Sequence, residues 1–299
     1  MAAELLDGKA FLDATKARLA ERVAALRAQG VTPGLGTIIV GADPNSHAYV
    51  RGKRAACEEI GMTSHHRELA DDVSATHLHA EIMAFNENPD VNGFIVQLPL
   101  PGHLEEEAAL LAVDPAKDVD GLHPVNLGRL VMGVPAPRPC TALGIQALLA
   151  AHGVAIAGKH VVVVGRGLTI GRPLALLLAL KEPNANAAVT VVHTGVRDLG
   201  SYTRRADILI AAAGRPSIIT PDMVMPGAAV VSAGITMDGR RVVPDVDEAV
   251  GEVAGWITPR LGGVGPTTIA MLLSNTVDAA ERRASVTVKP ERADRGEAR

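Results

Sequence analysis

Aromatic residues are nearly absent from this sequence: 299 residues contain three Phe, two Tyr and one Trp. That leaves no platform on which nucleobases stack, and a formal net charge of −4 with a pI near 6.2 supplies no basic face for a phosphate backbone. No nucleic-acid partner is expected. No uninterrupted apolar run approaches the roughly 18 residues of a membrane helix. The opening "MAAELLDGKAF" places Glu4 and Asp7 where a signal peptide would be positive and then apolar. The expectation is a soluble cytoplasmic protein with no membrane partner. Cysteine is equally scarce: Cys57 and Cys140 are the only two, and they lack metal-ligand spacing. No metal site is expected, and both are read as reduced thiols at packing or turn positions.

What is abundant is aliphatic. Hydrophobic residues make up 47% of the chain, ample for a buried core, and the length suits one large or two ordinary domains. In the first half, helical and strand patterns alternate. A helix is expected around residues 9–29, a strand at 35–40 ("LGTIIV"), helices at 44–60, 75–87 and 105–113, and a strand in "GFIVQLPLP" at 93–101. This is a βαβ series, most simply a parallel sheet covered by helices. The proline-rich "GVPAPRPCTALG" at 133–144 marks the best domain boundary. Beyond it, runs of Val and Ile at 160–165, 188–193, 207–212 and 228–233 read as strands buried on both faces. A helix at 267–283 is expected to pack back on the first domain, and the charged, proline-broken residues 284–299 read as a flexible tail.

The fold class expected is therefore α/β in two domains: residues 1–140 with helix 267–283, and a Rossmann-type unit at 141–266. Within the second, "VVVVGRGLTIGRP" at 161–173 runs from strand through glycine turn into helix, as a phosphate-binding turn requires. Gly165 permits the tight turn, Gly167 lets backbone approach a phosphate, and Gly171 allows close helix packing. The spacing G-x-G-x-x-x-G is one residue longer than the usual dinucleotide fingerprint. The next strand ends "VVHTGVRDL" with no acid until Asp198, whereas an enzyme preferring NAD places Asp or Glu there for the ribose 2′-hydroxyl. Arg166 and Arg197 are instead suited to a 2′-phosphate. NADP is favoured over NAD.

The helix "PNSHAYVRGKRAACEEIGM" at 44–62 poses a puzzle. Asn45 or Ser46 is expected to cap it and Gly61 to end it. At about 100° per residue, Tyr49, Val50, Ala56, Cys57 and Ile60 share one arc of roughly 120°, and Lys53 lies in its middle. A lysine there either snorkels, with its head in water, or is used. Other segments have equally plain readings singly: Gln97 as a satisfied amide, Asp118 and Asp120 as turn formers, "LGGVGP" at 261–266 as a flexible loop.

Taken in order, "S-H-A-Y-V-R-G-K" at 46–53, "VQLPLP", "KDVDGLHPVNLG", "PCTALG", "GRGLTIGRP" and "GGVGPTTIAMLL" change that reading. From about residue 4 to about 283 the chain resembles the bifunctional methylenetetrahydrofolate dehydrogenase/methenyltetrahydrofolate cyclohydrolase family, known as FolD. The resemblance implies folate bound between a catalytic N-terminal domain and an NADP-binding domain, in a homodimer. It implies two reactions at one site: hydride transfer from 5,10-methylenetetrahydrofolate to NADP, then hydrolysis of the methenyl product to 10-formyltetrahydrofolate.

It also implies roles for residues. Lys53 is the general base and acid of hydrolysis, Tyr49 lies against the folate, Gln97 orients Lys53, and Asp120, in preference to Asp118, pairs with the pterin. Gly165, Arg166, Gly167, Thr194, Ile235 and Thr268 are the expected cofactor contacts, and Gly262 and Gly263 the substrate loop. Several positions depart from the family pattern. Gly167 stands where many members have serine, Thr194-Gly195-Val196 where they have serine, a basic residue and threonine, Ser232 where they have aspartate, and Arg260-Leu261 where Val-Pro is common. Three rival readings remain: a dehydrogenase of another substrate using the same glycine loop, which "VQLPLP" and "KDVDG" oppose; a non-catalytic folate-binding paralogue, which the intact Lys53 opposes; and a cyclohydrolase with weak dehydrogenase activity, which the altered Ser232 region allows.

Overall fold

A computed structural model describes residues 3–238 and 241–287. In chain order the first elements are β1 (Glu4–Leu5), α1 (Gly8–Ala28), β2 (Gly34–Val40), α2 (Pro44–Glu59), β3 (Thr63–Leu69), α3 (Ala75–Glu87), β4 (Gly93–Val96), α4 (Glu106–Ala112) and α5 (Pro124–Met132). Then come α6 (Cys140–Ala151), β5 (His160–Val164), α7 (Gly171–Ala179), β6 (Ala188–Val192), α8 (Gly200–Thr203), β7 (Ile208–Ala211) and β8 (Ala229–Ser232). The last are β9 (Ile235–Asp238), β10 (Arg241–Pro244), β11 (Trp256–Ile257) and α9 (Val264–Thr287).

Two parallel sheets result. The first has the order β3-β2-β4, and its central strand β2 is buried at all seven positions, as its unbroken small and apolar run dictates. Its edge strand β3, "TSHHREL", was not expected from the sequence. It has no apolar alternation and is only half-buried, so pairing with β2 rather than patterning makes it a strand.

The second sheet has the order β1-β11-β8-β7-β5-β6. Pleating divides its residues: Val161, Val163, Ile208, Ile210, Ala229 and Val231 pack under α6 and α7, while Val162, Val164, Leu209, Ala211 and Val230 fill the opposite face. The expectation of double-sided burial holds for β5, β7 and β8, but β6 lies at the sheet edge and is half-exposed. Each aliphatic side chain buried this way contributes roughly 1.5–3 kcal/mol.

The N-terminus corrects the expected domain division. Glu4–Leu5 pair with Trp256–Ile257 in the second sheet, and Leu6, fully buried, joins the core beneath it. The proline-rich boundary is likewise shorter than read, because α6 already begins at Cys140.

Helix α9 begins three residues earlier than expected and runs through Thr287, so residues 284–287 continue a helix instead of starting a tail. The remaining residues 288–299 lie outside the described part. As expected, α9 returns to the first domain: Ala270, Leu272, Leu273, Val277 and Ala280 pack with Leu19, Val23 and Leu26 of α1. Arg22 fixes the rotation, donating from Nε and Nη2 to Glu281 at 2.9 and 2.6 Å and from Nη2 to Asp278 at 2.6 Å.

Candidate active site

The cap of helix α2 lies two residues or more before the one its sequence suggested. Asp43, not Asn45 or Ser46, is the cap, and its carboxylate accepts from the Ser46 N–H and Oγ at 2.8 Å. Gly61 ends the turn that follows with φ +79°. The apolar arc faces inward as predicted: Val50, Ala56, Cys57 and Ile60 are buried, and Lys53 between them is only 5% exposed. Snorkelling is thereby excluded.

The Lys53 ammonium has two immediate neighbours. Its Nζ donates to Gln97 Oε1 at 3.0 Å and lies 4.2 Å from the centre of the Tyr49 ring. Gln97, one residue past the end of β4, is itself held by donating from Nε2 to the Leu98 carbonyl at 2.7 Å. Burial lowers the lysine pKa to about 8, opposed first by the negative charge of Asp120. The half-buried Tyr49 phenol is pushed upward, by burial and then by the negative charge of Asp120, with Thr268 acting against the shift.

The two acids of "KDVDG" separate cleanly. Asp118 is buried and fully engaged: Oδ1 accepts from Gly121 N at 3.0 Å, and Oδ2 from His123 N at 2.8 Å and Asn126 Nδ2 at 2.9 Å. It builds the loop. Asp120, half-buried, has no such backbone partners for its carboxylate among the described residues and faces Lys53 and the Cys140 thiol. Burial raises its pKa, Lys53 pulls it back, and Asp118 adds repulsion.

Beside this group opens a cavity of about 960 Å³ between the domains. Tyr49, Gln97 and Pro99 line one wall, Ser232, Ala233 and Ile235 the other, and Gly262, Gly263 and Thr268 the floor. Lys53 meets the cavity through Tyr49 and Gln97, its neighbours in that lining. Gly262 has φ +83°, which only glycine adopts freely, and Thr268 Oγ1 bonds to Thr141 Oγ1 at 3.2 Å.

The glycine turn sits at the carboxyl end of β5, where doubly wound sheets bind nucleotides. A Cβ on Gly165, at φ +134°, would stand 2.1 Å from the Ala212 carbonyl oxygen, and one on Gly171 2.3 Å from the Gly165 oxygen. Gly167 meets nothing within 4 Å. The turn thus brings strand and helix into close approach and leaves its exposed middle free for a ligand. Arg166, Thr194 and Arg197 are exposed around it, and neither guanidinium has a side-chain partner among the described residues. This fits a dinucleotide carrying an additional phosphate.

Family models match both halves. Residues 6–120 match the catalytic domain of tetrahydrofolate dehydrogenase/cyclohydrolase, and residues 139–284 its NAD(P)-binding domain. The chain belongs to the FolD family. It is 59% identical over 284 residues to the bifunctional protein FolD of Syntrophotalea carbinolica, covering 95% of this chain and 98% of that one. Among solved structures, the bifunctional FolD enzyme of Campylobacter jejuni superposes with a TM-score of 0.90 at 42% identity, over 94% of this chain and all of its own. The Trypanosoma brucei FolD, solved with NADP cofactor and an inhibitor, gives 0.89 at 41% identity, over 95% of this chain and 99% of its own.

Two features of this FolD chain were not read from its sequence. Asp245, fully buried, accepts from the N–H groups of Ala213, Gly214 and Arg215 at 2.6, 2.9 and 2.8 Å, shaping the loop after β7 at the cofactor side. Burial nevertheless raises its pKa, more than these bonds lower it. Ser232, at a departure from the family pattern, donates its N–H to Thr258 Oγ1 at 2.8 Å, while its hydroxyl has no partner among the described residues. Neither residue stands in a periodic or spaced pattern; a buried acid in "VVPDVDE" looks like any turn.

Proposed function

We infer that this chain is a bifunctional enzyme of one-carbon folate metabolism, an NADP-dependent methylenetetrahydrofolate dehydrogenase and methenyltetrahydrofolate cyclohydrolase. Family membership supports this, and one observation carries it to the residues: a buried lysine bonded to Gln97, stacked by Tyr49 and facing Asp120 beside the interdomain cavity.

NADP, when bound, accepts the hydride from the methylene carbon. The turn Gly165–Gly171 with Arg166 and Thr194 would hold its phosphates, and Ile235 and Thr268 its nicotinamide end. On the folate side, Tyr49 packs against the p-aminobenzoyl ring, and Gly262 and Gly263 let backbone approach the substrate. The Asp120 carboxylate is a paired acceptor for the pterin 2-amino group and adjacent N–H. It also offsets the cation left across two nitrogens and a carbon when the hydride departs. Hydrolysis then requires a group that takes a proton from water and returns one to a ring nitrogen. Lys53 has that capacity because burial brings its pKa to about 8, where both protonation states are accessible near neutral pH. Gln97 aims the lone pair of the neutral amine by accepting one of its hydrogens. A cytoplasmic homodimer completes the reading, and light scattering of the purified chain tests the dimer.

The experiment is spectroscopic. Mixed with 5,10-methylenetetrahydrofolate, the protein should reduce NADP in preference to NAD with little accumulation of the methenyl intermediate. No reduction and no hydrolysis of added methenyl substrate would overturn the reading; hydrolysis alone would mark the chain as chiefly a cyclohydrolase.

A further inference from the structure

Asp120 is aimed by its backbone. Among the described residues no N–H grips its carboxylate as three grip that of Asp118, and the Cys140 thiol lies against it, so the direction of its Cα–Cβ bond depends on the two peptide planes that flank it. Both planes are held from distant parts of the chain. The carbonyl of Val119, in the plane before Asp120, accepts from Asn275 Nδ2 at 2.8 Å and from the Cys140 thiol at 3.1 Å. The carbonyl of Asp120, in the plane after it, accepts from Cys140 N at 3.1 Å. Asn275 also donates from Nδ2 to the Arg138 carbonyl at 3.1 Å and touches Cys140 Sγ at 3.4 Å, tying the turn before α6 to the same point. This amide is 6% exposed and belongs to α9, more than 130 residues away in sequence from each partner.

We propose that Asn275 is a positioning residue for Asp120: by clasping the Val119 and Arg138 carbonyls it fixes the peptide planes around Asp120, so that docking of α9 sets the aim of the pterin-pairing carboxylate. The inference rests on the reading of Asp120 given above. It explains why a helix from the end of the chain must pack on the first domain for the folate side of the site to be complete. An amide is suited to the task, since its two N–H groups meet two carbonyls and leave no buried donor unpaired.

Steady-state kinetics of the full-length enzyme test it. Asn275→Ala should raise KM for the folate substrate about tenfold, on the scale of one lost buried hydrogen-bond clasp, with KM for NADP changed less than about twofold. The titratable groups facing Lys53 are Tyr49, Asp120, Cys140 and Cys57, and a displaced Asp120 stabilises the ammonium less. The rising limb of the cyclohydrolase pH profile, which deprotonation of Lys53 sets, should therefore move to lower pH. Thr276→Val is the control for damage to α9, because the Thr276 hydroxyl bonds only within its own helix, to the Leu272 carbonyl at 2.8 Å. Asn275→Ser, which keeps one donor, should fall between wild type and Ala, and carries the comparison should the Ala variant not fold. Equal rises in both KM values, an unmoved pH profile, or the same change in Thr276→Val would overturn the proposal. Asp120→Ala separates the two ideas: a raised folate KM there without one in Asn275→Ala sinks the positioning role alone, and an unchanged KM in Asp120→Ala sinks the pterin contact itself.

Discussion

The proposed chemistry rests on one cation held where cations are costly. Lys53 makes a single side-chain hydrogen bond, to Gln97, and its pKa falls from 10.5 to about 8 because burial outweighs the attraction of Asp120. That difference corresponds to about 3 kcal/mol of stability withheld from the folded state. The sign follows from which state binds the proton. Below pH 8 both states carry it and the cost is complete; between pH 8 and 10.5 the unfolded chain holds more protons, so stability rises with pH. Lys53→Met should thus be more stable than wild type in urea at pH 7, with the advantage shrinking by about 3 kcal/mol towards pH 10.5. The same variant should lose cyclohydrolase activity by at least about a hundredfold while still binding folate. In the wild type, hydrolysis should rise with pH towards a plateau above about 8, and a flat profile would remove Lys53 from the role of base.

At the scale of the element, the glycine turn shows that equal residues need not be equal in cost. Gly165 combines φ +134° with a Cβ position 2.1 Å from backbone that cannot move cheaply, whereas Gly167 faces open space. Gly165→Ala should destabilise the second domain by about 3 kcal/mol or more and abolish NADP reduction. Gly167→Ser should leave the melting temperature nearly unchanged, within about 0.5 kcal/mol, and serve NADP at least as well as glycine. Thermal melts with NADP titration distinguish the two. Those outcomes would make the departure from the family at Gly167 one of ligand contact and not of folding.

The whole molecule is tied together by its ends. β1 closes the edge of the second sheet, α1 follows it directly into the first domain, and α9 returns from the second domain to pack on α1. Leu6, at this junction, is fully buried in the core beneath the second sheet. Leu6→Ala should cost about 3 kcal/mol, and it should lower the unfolding temperature of the cofactor domain although the residue precedes the catalytic one. Calorimetry with and without NADP checks this, since a loss confined to the first domain would contradict the sheet order.

By itself the sequence determined the parts whose physics is local. Runs of Val and Ile specified the inner strands, one apolar arc placed Lys53 and Tyr49 together, and strand-glycine-helix spacing marked the close turn between β5 and α7. It also separated Asp120 from Asp118 by family pattern, but why the two differ was not visible there. Only the tertiary structure showed that Asp118 is consumed by Gly121, His123 and Asn126. It alone decided that the polar β3 is a strand, that residues 4–5 serve the second sheet, and that Asp245 and Asn275 organise loops far from them in sequence. The physical reason is common to all of these. Periodicity records which face of an element is buried, whereas an edge strand, a buried acid or an amide clasp is defined by backbone donors and acceptors that some other part of the chain supplies.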